Sequence, residues 1–436
     1  MSKSRLRLRR LVMVSNNVRL SEIADIIMGQ SPKGVSCNNS GLGMPLLNGP
    51  TEFGTTHPFP TQFTNDPKKV SKVGDILFCV RGSTTGRMNY GDQEYAIGRG
   101  IGAIRGKNGY STSFVKAVIE SNLSGLLKIA TGTTFPNLGK DALNNFEVKI
   151  VNEEDAKFVG SISEQIEFKI ANNISMNQTL EKITQRIFKS WFIDFEPVKA
   201  NKEGVAFDGL SPEIQALFPS EFEESELGII PKGWEVKPFS TIAKLETKSV
   251  KPSSMSDKTW VHFSIPAFDE SRFPTLDLGD TIKSNKYKMY PNTVLVSKLN
   301  PRFKRVWFPN IVVNDDSSVC STEFMQFVPN NGYWYSYLIS YVISNRFQSE
   351  MLKTVSGTTG SRQRAQPKEV AVMQSLIPSN AIVEKYSGII LPIVRRHQDN
   401  YCQIQTLKQL RDRLLPKLIS GHITVGEAQK ELAEAI

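Results

Sequence analysis

The sequence repeats itself. Gln178-Thr179-Leu180 returns as Gln405-Thr406-Leu407, and the same shift, 178 to 405, lays Arg186-Ile187-Phe188 on Arg413-Leu414-Leu415. Gly132-Thr133-Thr134 returns as Gly357-Thr358-Thr359, each copy following an amphipathic stretch and preceding an apolar, strand-like run, 146–151 and 370–378. The fronts match more loosely. Residues 18–24 resemble 236–243, and Gly74-Asp75-Ile76-Leu77-Phe78 resembles Asn292-Thr293-Val294-Leu295-Val296. A single three-residue match carries little weight, but a series of matches in the same order implies duplication, and a duplicated chain folds as two copies of one architecture.

Each half divides into a globular and a helical part. The globular parts, 15–151 and 232–378, place Gly, Pro, Asn and Thr between short β-type runs such as 75–80, 293–299 and 311–313, so they are mixed α/β domains. Short helices are expected at 111–129 and 333–352, where apolar residues recur at three and four. Residues 153–192 contain no Pro and no Gly after Gly160, and carry Val159, Ile162, Ile166, Ile170, Ile174, Leu180, Ile183, Ile187 and Trp191 at helical spacing. Roughly 40 helical residues extend about 60 Å. The second copy, 381–419, has Ile382, Tyr386, Ile389, Ile393, Ile404, Leu407, Leu410, Leu414 and Leu418 in a similar stripe, with Pro392 and Pro416 expected to kink or end it.

Two such stripes are best buried against one another as an antiparallel, coiled-coil-like pair, with leftover faces for other proteins. Asn172, Asn173 and Asn177 lie among the apolar positions and would fix register at some cost in stability. Between the halves, 194–226 holds nine acidic residues against two basic ones. With Pro197, Pro212, Pro219 and Pro231, the segment 196–231 is expected to be an extended, solvated tether with one short helix at 212–218.

At 436 residues the chain exceeds one ordinary core, and 39% hydrophobic content is enough to bury several. No apolar run approaches the roughly 18 residues of a membrane span. The basic arm 1–14, with Lys3, Arg5, Arg7, Arg9 and Arg10, lacks the apolar run of a signal peptide, so a cytoplasmic location without membrane contact is expected. The net charge of +10 is uneven: the stretch 194–226 contributes −7, leaving +17 elsewhere, and 232–378 alone holds nineteen Lys/Arg against twelve Asp/Glu. That bias suits a phosphate-facing surface. Cys37, Cys79, Cys320 and Cys402 have no C-x-x-C spacing and read as reduced, mostly buried thiols. His57, His262, His397 and His422 have no ligand spacing either, so no metal is assigned.

Near-misses to catalytic motifs fail on physical grounds. Gly106-Lys107 has Ile101 where a phosphate loop needs its first glycine and Asn108 where it needs a hydroxyl. Gly98-Arg99-Gly100-Ile101-Gly102 lacks the third glycine that seats a pyrophosphate, and Asn65-Asp66-Pro67-Lys68 lacks the second proline and aromatic of an amino-methyltransferase tetrapeptide. No catalytic residue is assigned. What remains is two clusters of basic and small polar residues per half, in equivalent places. The first half has Arg81, Ser83, Thr84 and Arg87, then Thr133, Thr134, Asn137 and Lys140; the second has Lys298, Arg302, Lys304 and Arg305, then Thr358, Thr359, Arg362, Gln363 and Arg364. Arg suits guanine, Gln or Asn suits adenine, and Thr or backbone amides hold phosphates, so these are the candidate DNA contacts.

With these features, the chain resembles the specificity subunits of type I restriction-modification systems along nearly its whole length. The resemblance is carried by Gly74-Asp75-Ile76-Leu77, Gly132-Thr133-Thr134-Phe135-Pro136-Asn137-Leu138, Glu164-Gln165-Ile166, Phe218-Pro219, Ser225-Glu226-Leu227-Gly228, Ile230-Pro231-Lys232-Gly233-Trp234, and the segments 192–197 and 414–421. The second half departs from it: Gly360-Ser361-Arg362-Gln363 stands in place of Phe-Pro-Asn-Leu, and no Glu-Gln opens the second helix.

The resemblance implies an α+β fold with a pseudo-two-fold internal repeat: two target recognition domains, 15–151 and 232–378, separated by two long antiparallel helices. In that layout 152–195 and 379–420 are spacer helices, 196–231 an acidic linker and 421–436 a tail. It implies a non-catalytic subunit whose domains each read one half of a split double-stranded DNA target, while helix length sets the gap. Partners would be two methyltransferase subunits, docked through Ile166, Ile174, Leu180, Ile187, Ile393, Ile404, Leu407 and Leu414, together with restriction-translocase subunits. S-adenosylmethionine, ATP and Mg would sit on those partners, with no cofactor on this chain. Two rivals stay open: an enzyme with unrecognised catalytic residues, and a duplicated ligand-binding or assembly protein that does not bind DNA.

Overall fold

The computed structural model describes residues 15–435 apart from 55, 133–135, 312–315 and 357–362, so the basic arm 1–14 and most of the expected strand 311–313 lie outside the described residues. The chain forms two compact units, Met1–Asn172 with Ile404–Ile436, and Asn173–Gln403.

In the first unit, Ser15–Arg19 pairs antiparallel with Glu147–Val151. A four-stranded sheet follows in the order Ala24–Met28, Ile101–Gly106, Ile76–Cys79, Met88–Tyr90. All four residues of Ile76–Cys79 are buried, as expected of an apolar run with a neighbour on each side. Gly74 turns into this strand at φ +82°, and the buried Asp75 carboxylate takes a two-pronged bond from Arg105 at 2.6 and 2.7 Å. A second sheet is ordered Cys37–Asn38, Gln62–Thr64, Met44–Leu47, Ala96–Ile97, its last pair parallel. The helix expected over 111–129 is broken into Thr112–Ser121 and Leu123–Lys128 at Asn122, whose side chain turns back to the Val118 carbonyl (2.9 Å). Ser111 caps its start. Buried Lys116 joins that helix to the long one by pairing with both Glu120 and Glu167.

The second unit repeats this plan. Glu235–Pro238 pairs with Gln374–Ile377, and a four-stranded sheet runs Ala243–Glu246, Phe324–Pro329, Val294–Ser297, Val306–Trp307, in the same order as its counterpart. The other sheet has drifted. It is ordered Ser249–Val250, Lys286–Lys288, Ser318–Ser321, Thr259–Phe263, Thr275–Leu278, so the late strand has moved inside and an added fifth strand forms the edge. The helix expected over 333–352 is again two, Trp334–Ile343 and Asn345–Lys353, with Ser344 capping the second. The run 370–378, expected as one strand, begins instead in a helix, Pro367–Val372, because Pro367 suits a first helical turn; only Gln374–Ile377 is strand.

The long helices are Glu153–Phe192 and Asn380–Ile419, forty residues each, with their starts offset as the repeat is. Neither Pro392 nor Pro416 ends the second one; it stops where Gly421 turns left-handed at φ +73°. Each proline removes one amide bond, but buried Tyr386, Ile390, Val394, Leu414 and Leu418 hold the surrounding turns. Within the second unit the helices run antiparallel in a fixed register. Asn173 Nδ2 donates to Gln403 Oε1 (3.1 Å), Asn400 Nδ2 to Asn177 Oδ1 (2.8 Å), and His397 Nε2 meets Glu181 Oε1 (3.1 Å).

The acidic connector is not an extended tether. It folds as helix Glu196–Glu203, helix Pro212–Gln215 and a hairpin of Phe222–Ser225 with Gly228–Pro231. Its Val198, Phe218 and Ile230 join Trp191, Phe192 and Trp234 in one core, where the Trp191 and Phe218 rings meet edge to face at 5.2 Å. The carboxylates stay at the surface while sparse apolar residues hold the segment down. Two of the four free cysteines, Cys79 and Cys320, are buried; Cys37 is half-buried and Cys402 exposed. No helix among the described residues is long and apolar enough to cross a membrane.

Candidate nucleic-acid interface

In the first unit the two predicted clusters meet. Strand Ile76–Cys79 runs into the loop 81–87, which Gly82 and Gly86 allow to reverse through left-handed φ values of +96° and +97°. The loop closes on its own strand, Gly86 N to Cys79 O at 2.9 Å and Cys79 N to Arg87 O at 2.8 Å. The segment around Pro136 is then fastened across it. Arg81 bridges Asn137 through backbone and side chain (Nε to Oδ1, 3.2 Å), and Gly82 N and Thr85 Oγ1 both donate to the Pro136 carbonyl at 3.0 and 2.9 Å. Arg81, Ser83 and Arg87 are exposed, as is Lys140 at the start of helix Lys140–Asn144. Thr84 is half-buried, its hydroxyl 3.6 Å from Cys79 Sγ. Thr133 and Thr134 lie outside the described residues.

The second unit builds the same device. Strand Val294–Ser297 runs into a loop that returns at Arg305, whose carbonyl accepts from Ser297 N at 3.0 Å. The segment 363–365 is fastened across it, with a Leu299–Arg364 bridge, Asn300 N to Gln363 O at 2.9 Å and Ala365 N to Lys298 O at 3.0 Å. Thr358, Thr359 and Arg362 lie outside the described residues.

The cations here have different fates. Arg305 is clamped by Asp269 (2.6 and 2.9 Å) and Arg364 by Glu323 (3.0 and 3.1 Å), so their charges are already answered. Lys304 reaches the Ile343 carbonyl, and burial holds its ammonium below the ordinary lysine range against the pull of Glu181. Lys298 is half-buried. Arg302 is exposed and stacks on exposed Phe303, 5.2 Å from the ring centre. Among the described residues no carboxylate pairs with Arg87, Lys140 or Arg302, so a phosphate would find unanswered charge there before Arg305 or Arg364. Sequence reasoning passed over Arg99, an exposed arginine between two glycines; the bond from Val80 N to Gly100 O (3.0 Å) sets it beside the Arg81 loop. The sequence signal that marks it is an arginine flanked by two glycines.

Of the helix positions expected to dock partners, Ile166, Ile404, Leu407 and Leu414 are buried within the first unit and present no surface, while Ile174, Leu180, Ile187 and Ile393 are half-buried in the second. The apolar side chains left outside on the first long helix are Phe168 (70% exposed), Met176 and Ile183. Among the described residues no group of three or more His, Cys, Asp or Glu is placed to hold a metal ion.

Residues 15–187 match the family described as the type I restriction modification DNA specificity domain. The type I restriction enzyme MjaIX specificity subunit of Methanocaldococcus jannaschii is 28% identical over 379 residues, covering 82% of this chain and 80% of that one. The HindI specificity subunit of Haemophilus influenzae is 24% identical over 422 residues, covering 82% and 88%. The crystal structure of a type I restriction-modification S subunit from M. genitalium shares the fold, with a TM-score of 0.58 at 14% identity over 95% of this chain and 98% of that one. Over most of its length the chain is similar to the specificity subunits of type I restriction-modification systems, and residues 15–187 match their DNA specificity domain.

Proposed function

We propose that this non-catalytic subunit reads a two-part double-stranded DNA target, one half with 15–151 and the other with 232–378, and that the paired long helices set the unspecified gap. The observation that carries this reading is the repeated device: in each unit a buried strand ends in a basic loop, and a distant segment is fastened across that loop by backbone bonds. Holding a loop in this way lowers the ordering cost of placing its side chains against base edges and phosphates. Two short readouts on one scaffold multiply discrimination, each wrong base pair costing about 1–3 kcal/mol. Methyl transfer and cleavage, with S-adenosylmethionine, ATP and Mg, belong in this reading to two methyltransferase subunits and to restriction-translocase subunits assembled around a cytoplasmic complex.

The test is to map methylated adenines in cells carrying this chain with its methyltransferase. A split motif is expected, and inserting four residues in the helix Glu153–Phe192 should change its gap while leaving both half-sequences intact. An unchanged gap would refute the ruler, and the absence of any split motif would refute the function.

A further inference from the structure

Resting on the DNA-reading function above, we propose that Gln62 is a base-reading residue of the first unit, specific for the major-groove edge of adenine and held in its reading orientation by Asn48. Both line a surface cavity of about 460 Å³ that carries four amide side chains and no acidic residue. One of the four, Asn38, is committed to its own loop: its Nδ2 donates to the Leu42 carbonyl (2.7 Å) and its Oδ1 accepts from the Ser40 and Leu42 amides (both 3.1 Å).

Asn48 and Gln62 act on each other instead. Asn48 Oδ1 accepts from Ser31 Oγ at 3.3 Å, so its amide is oriented with Nδ2 toward Gln62, and that Nδ2 donates to Gln62 Oε1 at 3.0 Å. Gln62 sits on strand Gln62–Thr64 and is half-buried, which restrains its stem. With Oε1 fixed from one side, the group keeps its second Oε1 lone pair and an Nε2 that has no protein partner among the described residues. An acceptor and a donor side by side match adenine, whose N6 donates and N7 accepts in the major groove.

The glycine-rich turn that fits no nucleotide fingerprint has a use here. A side chain on Gly98 would lie 2.1 Å from Asn48 Oδ1, and one on Gly100 would lie 2.2 Å from the Asn48 carbonyl. Only glycines let that turn seat Asn48, and between them the Arg99 amide donates to the same Ser31 Oγ at 3.2 Å. Arg99 itself is exposed, next to the Gly100 carbonyl that bonds Val80 ahead of the Arg81 loop, and Val35, in the short 3-10 turn Gly34–Ser36 whose Gly34 lines the cavity, is 95% exposed. An apolar side chain so placed suits a thymine methyl.

The test uses the complex of this chain with its methyltransferase, bound to duplexes that each alter one position of the mapped target. Gln62→Ala should lose about 5- to 150-fold discrimination at one adenine of one half-target and little elsewhere. Gln62→Glu keeps the bond from Asn48 but loses the donor, so it should shift preference at that same position toward cytosine. Discrimination unchanged at every position, a uniform loss of affinity in both variants, or a loss at a base other than adenine would each overturn the assignment. A wild-type complex with no half-target at all refutes the DNA-reading function instead.

Discussion

Asn177 and Asn400 face each other in the buried seam of the two long helices, and the structure makes their replacements unequal. Asn177 is satisfied on both ends: its Oδ1 accepts from Asn400 Nδ2 (2.8 Å) and its Nδ2 donates to the His397 carbonyl (3.2 Å). Asn400 is fully buried, and its own Oδ1 has no partner among the described residues. Asn177→Leu therefore strands the Asn400 amide donor, and leaving a buried polar group unpaired costs about 1–3 kcal/mol. Asn400→Leu strands the Asn177 acceptor but also removes an acceptor that was already unpaired, so the two effects offset and the net change should be near zero. Replacing both removes every stranded group, and a leucine pair of similar volume should be neutral or stabilising. The coupling energy of the cycle is then at least about 1–3 kcal/mol, favouring the double variant. All five tryptophans (191, 234, 260, 307 and 334) lie in the second unit, so urea unfolding followed by their fluorescence reports that unit alone. Equal costs for the two single replacements, or additivity within about 0.3 kcal/mol, would refute the argument. The double variant should also lose register specification, which methylation mapping would show as mixed gap lengths.

His262 has its Nδ1 2.8 Å from Asp277 Oδ2 and a buried Nε2 with no partner among the described residues; burial pulls its pKa below the ordinary histidine value, with Lys286 adding to this and Asp277 opposing it. A depressed folded value means the group favours folding above the unfolded value and loses that contribution as pH falls through the folded one. Stability of the second unit should thus decline below about pH 6.5, and His262→Gln should flatten that decline by up to one proton in fluorescence-monitored melts; an unchanged slope would sink the assignment. For DNA binding, Arg87→Ala and Arg302→Ala should each reduce the slope of log affinity against log salt by about one, while Arg305→Ala, whose charge Asp269 already answers, should leave it unchanged. Equal slope losses for all three would show that the Asp269 clamp opens on binding.

The long helices were legible to within one residue because a stripe sustained over forty residues leaves no other period to choose, and the duplication supplied a second copy of the same length. Local rules misled wherever tertiary burial overruled them. Pro392 and Pro416 look like helix ends, yet the stripe around them is buried and the helix persists. The connector has the composition of a solvated tether, but Val198, Phe218 and Ile230 find Trp191 and Trp234 across distances in sequence that no window reveals. The helix breaks at Asn122 and Ser344 depend on side chains bonding or capping the local backbone, and such signals are weaker than the apolar pattern running through them.

The loop clusters were legible as places and not as chemistry. Equivalent positions in a repeat locate a device; they do not say which of its cations stay unanswered. That depends on Asp269 and Glu323, which lie far along the chain from Arg305 and Arg364 and whose counterparts are missing beside Arg87 and Lys140 among the described residues. The same backbone device therefore presents cations with no carboxylate partner among the described residues in the first unit, and in the second two clamped arginines alongside Arg302, which stacks on an aromatic ring. Under the proposed function a duplicated reader would need that combination: donors kept as faithfully as the strand order of the four-stranded sheets would tie both units to the same bases. In that reading, divergence in side chains and in the outer sheet would let the two halves of a target differ while each unit keeps the same backbone plan.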